Sequence, residues 1–235
     1  MTAMLASVRT LDEALFALEA GADFIDLKEP SQGALGALDH AAVRVCVQAI
    51  GGHRPVSATI GDIVSMDPQE MKAAVGRMAA TGVEYIKIGF FAHPKAFDCA
   101  MALKTLTRET RLVAVIFADE PYDLALVDAL ADAGFAGAML DTAHKTGKTL
   151  RDWRNGNELE AFVDRGRSRR LLTGLAGSLC REDVFHLLAI GPGYLGFRGA
   201  LCRNGDRGQF LDQEAFALIR AAIPRGTVKA RHVAA

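Results

Sequence analysis

Two residues in one short stretch, Asp26 and Lys28 of Phe24-Ile25-Asp26-Leu27-Lys28-Glu29-Pro30, have the types and spacing that could do chemistry. Gly21 before the stretch reads as a helix stop and Pro30 after it as a chain breaker, so a short strand lies between them. Alternation along a strand turns Ile25 and Leu27 to one face and Asp26 and Lys28 to the other. An amine beside a carboxylate is either a structural ion pair or a nucleophile with a proton-handling neighbour. The pattern recurs. Lys87 lies between Ile86 and Ile88, and Asp141 follows Met139-Leu140, so each points opposite its aliphatic neighbours. If these strands share one interior, two lysines and two aspartates converge. A lone buried lysine is costly, and two converging pairs favour function over a structural role.

The chemistry asks for these types. A lysine attacks a carbonyl only as the free amine, and a second ammonium nearby shifts it towards that form. Carboxylates can pass protons as a carbinolamine becomes an iminium, or can hold the amines in place. The residues alone leave open which lysine is the nucleophile. They reach lysine-dependent aldol chemistry on a phosphorylated carbonyl compound.

The elements that must position these groups alternate along the chain. Apolar runs at Met4–Val8, Phe24–Lys28, Pro55–Ile60, Tyr85–Gly89, Arg111–Phe117, Ala138–Asp141, Leu171–Ala176 and Tyr194–Arg198 read as strands. Helical spacing covers Ala14–Ala20, Leu38–Ile50, a segment from Asp67 to near Gly82, Phe97–Thr107, Leu124–Ala133, Asn157–Arg165, Arg181–Ala189 and Glu214–Ala222. Thr10-Leu11-Asp12-Glu13 has the spacing of a capping box. Eight strand–helix units with continuous apolar strands predict an α/β fold, a single closed (β/α)₈ TIM barrel. No Gly-x-Gly-x-x-Gly follows the first strand, which weakens a dinucleotide-binding alternative. Residues 1–225 are expected to form one catalytic barrel domain, and 226–235 a flexible tail.

Barrels of this kind carry their sites at the C-terminal ends of the strands, where Asp119 also falls. Strands seven and eight end in Gly177-Ser178 and Arg198-Gly199. Their amides, with the Arg198 guanidinium, form an expected phosphate site: Gly177, Ser178, Arg198 and Gly199. The Asn204-Gly205-Asp206-Arg207-Gly208 loop could fold over the mouth. The loop from Thr142 to Thr149, with Lys145 and Lys148 around Gly147, has the makings of a lid, although a solvated loop explains Lys148 better.

Bulk properties narrow the classes further. The chain has 235 residues, 50% hydrophobic and 23% charged, with net charge −1. That balance does not suggest nucleic-acid binding, and the run Arg165, Arg167, Arg169 and Arg170 reads as a solvated helix end. No apolar run approaches a membrane span, and no signal peptide is visible. Cys46, Cys99, Cys180 and Cys202 form no C-x-x-C pair, so reduced thiols and a cytoplasmic location are expected. No His, Asp and Glu set has metal-ligand spacing, and His40, His53, His93 and His186 are scattered.

Several segments together resemble the (5-formylfuran-3-yl)methyl phosphate synthase family. They are Asp26-Leu27-Lys28-Glu29-Pro30 with Gly33–Ala37, Ser57–Asp62, Tyr85–Gly89, Met139–Ala143 with Lys145 and Gly147-Lys148-Thr149, Leu175–Ser178, and Phe197–Ala200. The likeness extends to the Asn204–Arg207 loop. It implies a lyase with class I aldolase-like chemistry that condenses two glyceraldehyde 3-phosphate molecules, losing phosphate and water, for a methanofuran-type cofactor of one-carbon metabolism. It implies Lys28 as the Schiff-base lysine and Lys87 as the proton-transfer lysine, with Asp26, Asp141 and Lys145 completing the set. No role is assigned to His53-Arg54, where the family commonly has a basic residue. The expected partners are the small-molecule substrate and further copies of the chain in a homo-oligomer. No cofactor, metal, nucleic acid or membrane is expected. Another sugar-phosphate aldolase, or a non-catalytic sugar-phosphate-binding barrel, stays open.

Overall fold

Side-chain acceptors start the helices and glycines end several of them. Thr10 accepts from the Glu13 amide, Asp39 from Ala41, and Asp67 from Gln69 and Glu70. Gly51 and Gly191 take left-handed conformations at C-caps, with φ of 58° and 71°. A computed structural model describes residues 1–144 and 146–224.

The strands are β1 (Ala3–Val8), β2 (Phe24–Leu27), β3 (Val56–Thr59), β4 (Tyr85–Phe90), β5 (Arg111–Phe117), β6 (Gly137–Asp141), β7 (Leu172–Leu175) and β8 (Tyr194–Phe197). The helices are α1 (Leu11–Glu19), α2 (His40–Ile50), α3 (Pro68–Ala79), α4 (Ala96–Ala102), α5 (Ala125–Asp132), α6 (Leu150–Trp153), α7 (Gly156–Ser168), α8 (Arg181–Ile190) and α9 (Gln213–Ala222). The strands pair in order as a closed parallel barrel. Closure pairs β1 with β8 through Ala3↔Tyr194 and Ala6↔Phe197. This is the expected (β/α)₈ barrel.

Two differences are local. The helix expected over Phe97–Thr107 stops at Ala102 and tightens to a 3₁₀ segment, Leu103–Arg108. There the Thr107 hydroxyl donates to the carbonyls of Lys104 and Ala133, which ties the end of the segment to the next helix. The capping box at α1 is half formed. Glu13 gives its amide to Thr10, but its carboxylate accepts from the Arg9 amide at 2.9 Å. The basic residues at the end of α7 are exposed, and Arg165, Arg167 and Arg169 pair with Asp128, Asp164 and Asp132. Among the described residues no helix is long and apolar enough to cross a membrane. The expected tail, 226–235, lies outside the described residues.

Alternation splits the core into two layers. Met4, Ala6, Val8, Ile25, Leu27, Ile86 and Ile88 pack outward against the helices. Leu5, Val113, Val115, Phe117, Met139 and Tyr194 fill the barrel interior. Phe24, Tyr85 and Tyr194 close its lower part, with Phe24 5.7 Å from Tyr194 and 6.2 Å from Tyr85 between ring centroids. A Cβ on Gly174 would come within 2.2 Å of the Tyr194 ring, so only glycine leaves room for this plug. Asp26 and Lys28 follow Phe24 along β2, and Lys87 follows Tyr85 along β4, so these charged groups lie on the C-terminal side of the plug.

Candidate active site

Above the aromatic plug lies a cavity of about 380 Å³, lined by Asp26, Lys28, Lys87 and Asp141 among others. Each of the four is at most 7% exposed. The convergence expected from alternation is therefore present. Phe24, Asp26 and Lys28 follow the inward face of β2, and Tyr85 and Lys87 that of β4.

The four groups form two acid–amine pairs of different character. Lys87 Nζ lies 2.9 Å from Asp26 Oδ1 and 5.8 Å above the Tyr194 ring. Lys28 Nζ lies 3.9 Å from Asp141 Oδ2, a looser contact. Asp26 is held on three sides. Ser57 Oγ donates to Oδ1 at 2.6 Å, and Ser7 Oγ donates to Oδ2 at 2.9 Å. Burial pushes the Asp26 carboxyl up. The Lys87 and Lys28 ammoniums and the Ser57 hydroxyl outweigh it, and the net displacement is below the usual aspartate value. Asp26 is therefore an anchored anion. Asp141 Oδ1 accepts from the Thr142 amide at 2.7 Å, which fixes that carboxylate at the lip of β6.

Ser7 and Ser57 had not been singled out as site residues. Their signal was a hydroxyl at an inward position of an otherwise apolar run. Asp119 faces elsewhere. Its carboxylate accepts from the amides of Ala143 and His144, at 2.7 and 2.8 Å, so it ties down the loop after β6. Lys145 lies outside the described residues. Lys148 sits 4.6 Å over the Trp153 ring and does not line the cavity, in keeping with its reading as a loop residue.

The loops after β7 and β8 form the opposite wall, with Gly177, Ser178 and Gly199 on the cavity. Gly177 has φ 113°, and Ser178 takes the left-handed region at φ 49°. A non-glycine residue held there costs about 1–3 kcal/mol and persists where surrounding structure enforces it. Among the described residues, none accepts a hydrogen bond from the amides of Gly177, Ser178 or Gly199. Backbone N–H groups without a protein acceptor, on residues that line a cavity at this end of the barrel, suit an anion.

Arg198 has a different task from the expected phosphate contact. Its Nη1 donates to Glu13 Oε2 at 2.6 Å and to the Ser7 carbonyl at 3.2 Å. Its Nη2 donates to Glu13 Oε1 at 3.1 Å and to the Gln209 carbonyl at 2.8 Å. Its Nε donates to the Arg207 carbonyl at 3.0 Å. All the N–H donors of a guanidinium are thereby spent inside the protein. The buried Glu13–Arg198 pair clamps α1 to the end of β8 and holds the last loop by its backbone. That loop brings Arg207 to the cavity wall, a residue the sequence placed only in a loop able to cover the mouth.

The chain is similar to known proteins over most of its length. A sequence profile for 4-HFC-P synthase matches residues 4–220. A chain from Methylorubrum extorquens, described as a candidate (5-formylfuran-3-yl)methyl phosphate synthase, is 46% identical over 209 residues, covering 89% of this chain and 86% of that one. The (5-formylfuran-3-yl)methyl phosphate synthase of Methanopyrus kandleri is 37% identical over 218 residues, covering 87% and 91%. Among solved structures, phosphoribosyl anthranilate isomerase from Thermus thermophilus superposes with a TM-score of 0.66 at 16% identity, over 94% of this chain and 98% of that one. At that identity the likeness shows the barrel alone. With the profile running from β1 into α9 and these relatives covering most of its length, the chain belongs to the 4-HFC-P synthase family.

Proposed function

We propose that this protein is a (5-formylfuran-3-yl)methyl phosphate synthase that condenses two glyceraldehyde 3-phosphate molecules through an imine on Lys28. The observation that carries the proposal is the pairing of two buried amines with two carboxylates in one cavity, which Gly177, Ser178 and Gly199 also line. The names of the relatives supply the product, and the site supplies the chemistry.

Lys28 suits the covalent role because it lines the cavity beside Asp141, which stands at its lip. Lys87 is held tightly by Asp26, with Ser57 and Ser7 behind that carboxylate. An ammonium fixed in this way suits proton delivery to an oxygen or carbon held above it. In the reaction, Lys28 Nζ adds to the aldehyde carbon of one triose and the carbonyl oxygen leaves as water. The iminium acidifies the adjacent C–H and opens the way to carbon–carbon bond formation with the second triose. Water returns when the imine is hydrolysed. Across the cycle two trioses give one furan aldehyde phosphate, one inorganic phosphate and two waters. Asp141 is positioned to take or return the protons of carbinolamine breakdown, and the amides of Gly177, Ser178 and Gly199 to hold one phosphate.

The test is incubation with glyceraldehyde 3-phosphate alone, followed by product mass and a phosphate assay, with a parallel borohydride quench and intact-protein mass. A furan aldehyde phosphate with equimolar phosphate and a reduced adduct on Lys28 is expected. A different condensation product would make the protein an aldolase of another kind. Absence of adduct and product would leave only a binding barrel.

A further inference from the structure

Condensing two phosphorylated trioses poses an electrostatic problem that one anion site does not solve. Both substrates carry a phosphate, and both must occupy a cavity of about 380 Å³ together. Among the described residues, four cationic side chains line that cavity: Lys28, Lys87, Arg198 and Arg207. Lys87 is paired with Asp26 at 2.9 Å, and Lys28 is needed for the imine and stands beside Asp141. Arg198 has spent every donor on Glu13 and on backbone carbonyls. Of these four, Arg207 is the cation left.

Its setting suits that use. Arg207 is half-buried, and its described hydrogen bond is from Nη2 to the Gly33 carbonyl at 3.2 Å. No carboxylate among the described residues forms an ion pair with it, so the rest of its planar fork is available to an anion. Burial lowers its pKa from the ordinary arginine value, and the Asp141 carboxylate nearby works the other way. The charge is therefore partly desolvated before any ligand arrives.

The chain also holds Arg207 in place by its backbone. Arg198 grips the carbonyls of Arg207 and Gln209, and Glu13 grips Arg198 in turn. Gly199 lies against this loop so closely that a Cβ would come within 3.0 Å of the Gly205 carbonyl. On the far side, Gly33 belongs to the loop after β2, which Asp62 ties down through the amides of Ala34 and Leu35 at 3.1 and 3.0 Å. Arg207 thus bridges from the last loop to the loop that follows Lys28.

We infer that Arg207 is the clamp for the phosphate of the second triose, the one that does not form the imine, while the amides of Gly177, Ser178 and Gly199 hold the phosphate of the first. The inference rests on the two-triose reaction proposed above. It makes Arg207 a specificity-determining residue for a phosphorylated partner, and Arg198 with Glu13 the residues that position it.

The experiment compares wild type, Arg207→Gln and Arg207→Lys in two readouts with glyceraldehyde 3-phosphate. One is the concentration dependence of borohydride-trapped adduct on Lys28, and the other is the rate of furan product by mass. Trapping reports the first triose, and product formation needs both. The expected result for Arg207→Gln is half-saturation of trapping within about threefold of wild type, with product formation down by about 10²-fold, the scale of a lost charge-stabilising donor. Arg207→Lys should recover at least about tenfold of that loss, since the charge returns without the fork. The inference is overturned if Arg207→Gln makes product at a rate within about threefold of wild type. It is equally overturned if both variants lose trapping along with turnover, which would put Arg207 under the first triose or in the scaffold. A wild type that traps no adduct and makes no furan would instead sink the reaction proposed above, so the two failures are distinct.

Discussion

Replacing Asp26 with Asn isolates the charge of the most heavily anchored group in the cavity. The side chain keeps its shape but loses its negative charge. In the protein, Asp26 accepts from Lys87, Ser57 and Ser7 at 2.9, 2.6 and 2.9 Å, and the Lys87 and Asp26 side chains are 4% and 2% exposed. An Asn oxygen can still accept from one or two of these donors. Its NH₂ must then face a group that was itself donating, and the Lys87 ammonium is left buried without its counter-charge. Removing one partner of a buried pair costs about 3–5 kcal/mol, and the donors that Asn retains place the expected loss near the lower end, about 3 kcal/mol. The sign of the pH dependence follows from the depressed carboxyl. The charge of Asp26 stabilises the fold above the unfolded aspartate value of 3.8, and that contribution is lost as pH falls through the still lower folded value. Urea unfolding at pH 7, 5 and 3.5 measures it. The gap between wild type and Asp26→Asn should be constant from pH 7 to 5 and begin to narrow at 3.5. A gap under about 1 kcal/mol at pH 7, below the range for a broken buried pair, would refute the account of Asp26 as the anion that holds Lys87 in place.

Other outcomes are expected at the same site. Lys28→Arg should be folded and inactive, with no borohydride-dependent mass gain, since a guanidinium forms no imine here; a retained adduct would reassign the nucleophile. Lys87→Arg should still trap the first triose while turnover falls by about 10²-fold, checked by the same intact-mass and rate measurements. Gly174→Ala should lose about 2 kcal/mol in a urea titration, because its methyl overlaps the Tyr194 ring beneath Lys87. Turnover should be unchanged after incubation with a chelator, because the proposed iminium would supply the electron withdrawal that a metal would otherwise provide; loss of activity restored by added metal would contradict this.

The inward lysines and aspartates were legible because they depend on local alternation. Ile25 and Leu27 beside Asp26 and Lys28, and Ile86 and Ile88 around Lys87, are enough to choose a face once the strand is known. The strand order was legible from the repeat of strand and helix. What escaped depends on contacts between distant parts of the chain. Nothing local distinguishes Glu13 as a buried partner from Glu13 as a capping residue, because its partner Arg198 lies 185 positions away. Arg198 itself looked like a phosphate ligand because its neighbours Gly199 and Ala200 fit that pattern. Only the closed barrel brings Ser7, Glu13, Arg207 and Gln209 around its guanidinium. Arg207 was hidden for a related reason: its orientation comes from a loop held by its backbone, and side-chain periodicity carries no record of that.

The seam between β1 and β8 has a consequence for biosynthesis. A chain emerging from the ribosome in order exposes β1 with one edge unpaired until residues beyond Phe197 are clear of the exit tunnel. Through most of translation the sheet is an open one with two bare edges, and each can template pairing with another chain. The Glu13 carboxylate is without Arg198 through this period, because that partner is made among the last residues of the barrel. Clamping of α1 to the last loop is thus a late event that coincides with the disappearance of both edges. A transcript truncated before β8 would yield a product lacking the seam, the clamp and Arg207 together, and such a product would be a substrate for chaperones and proteases.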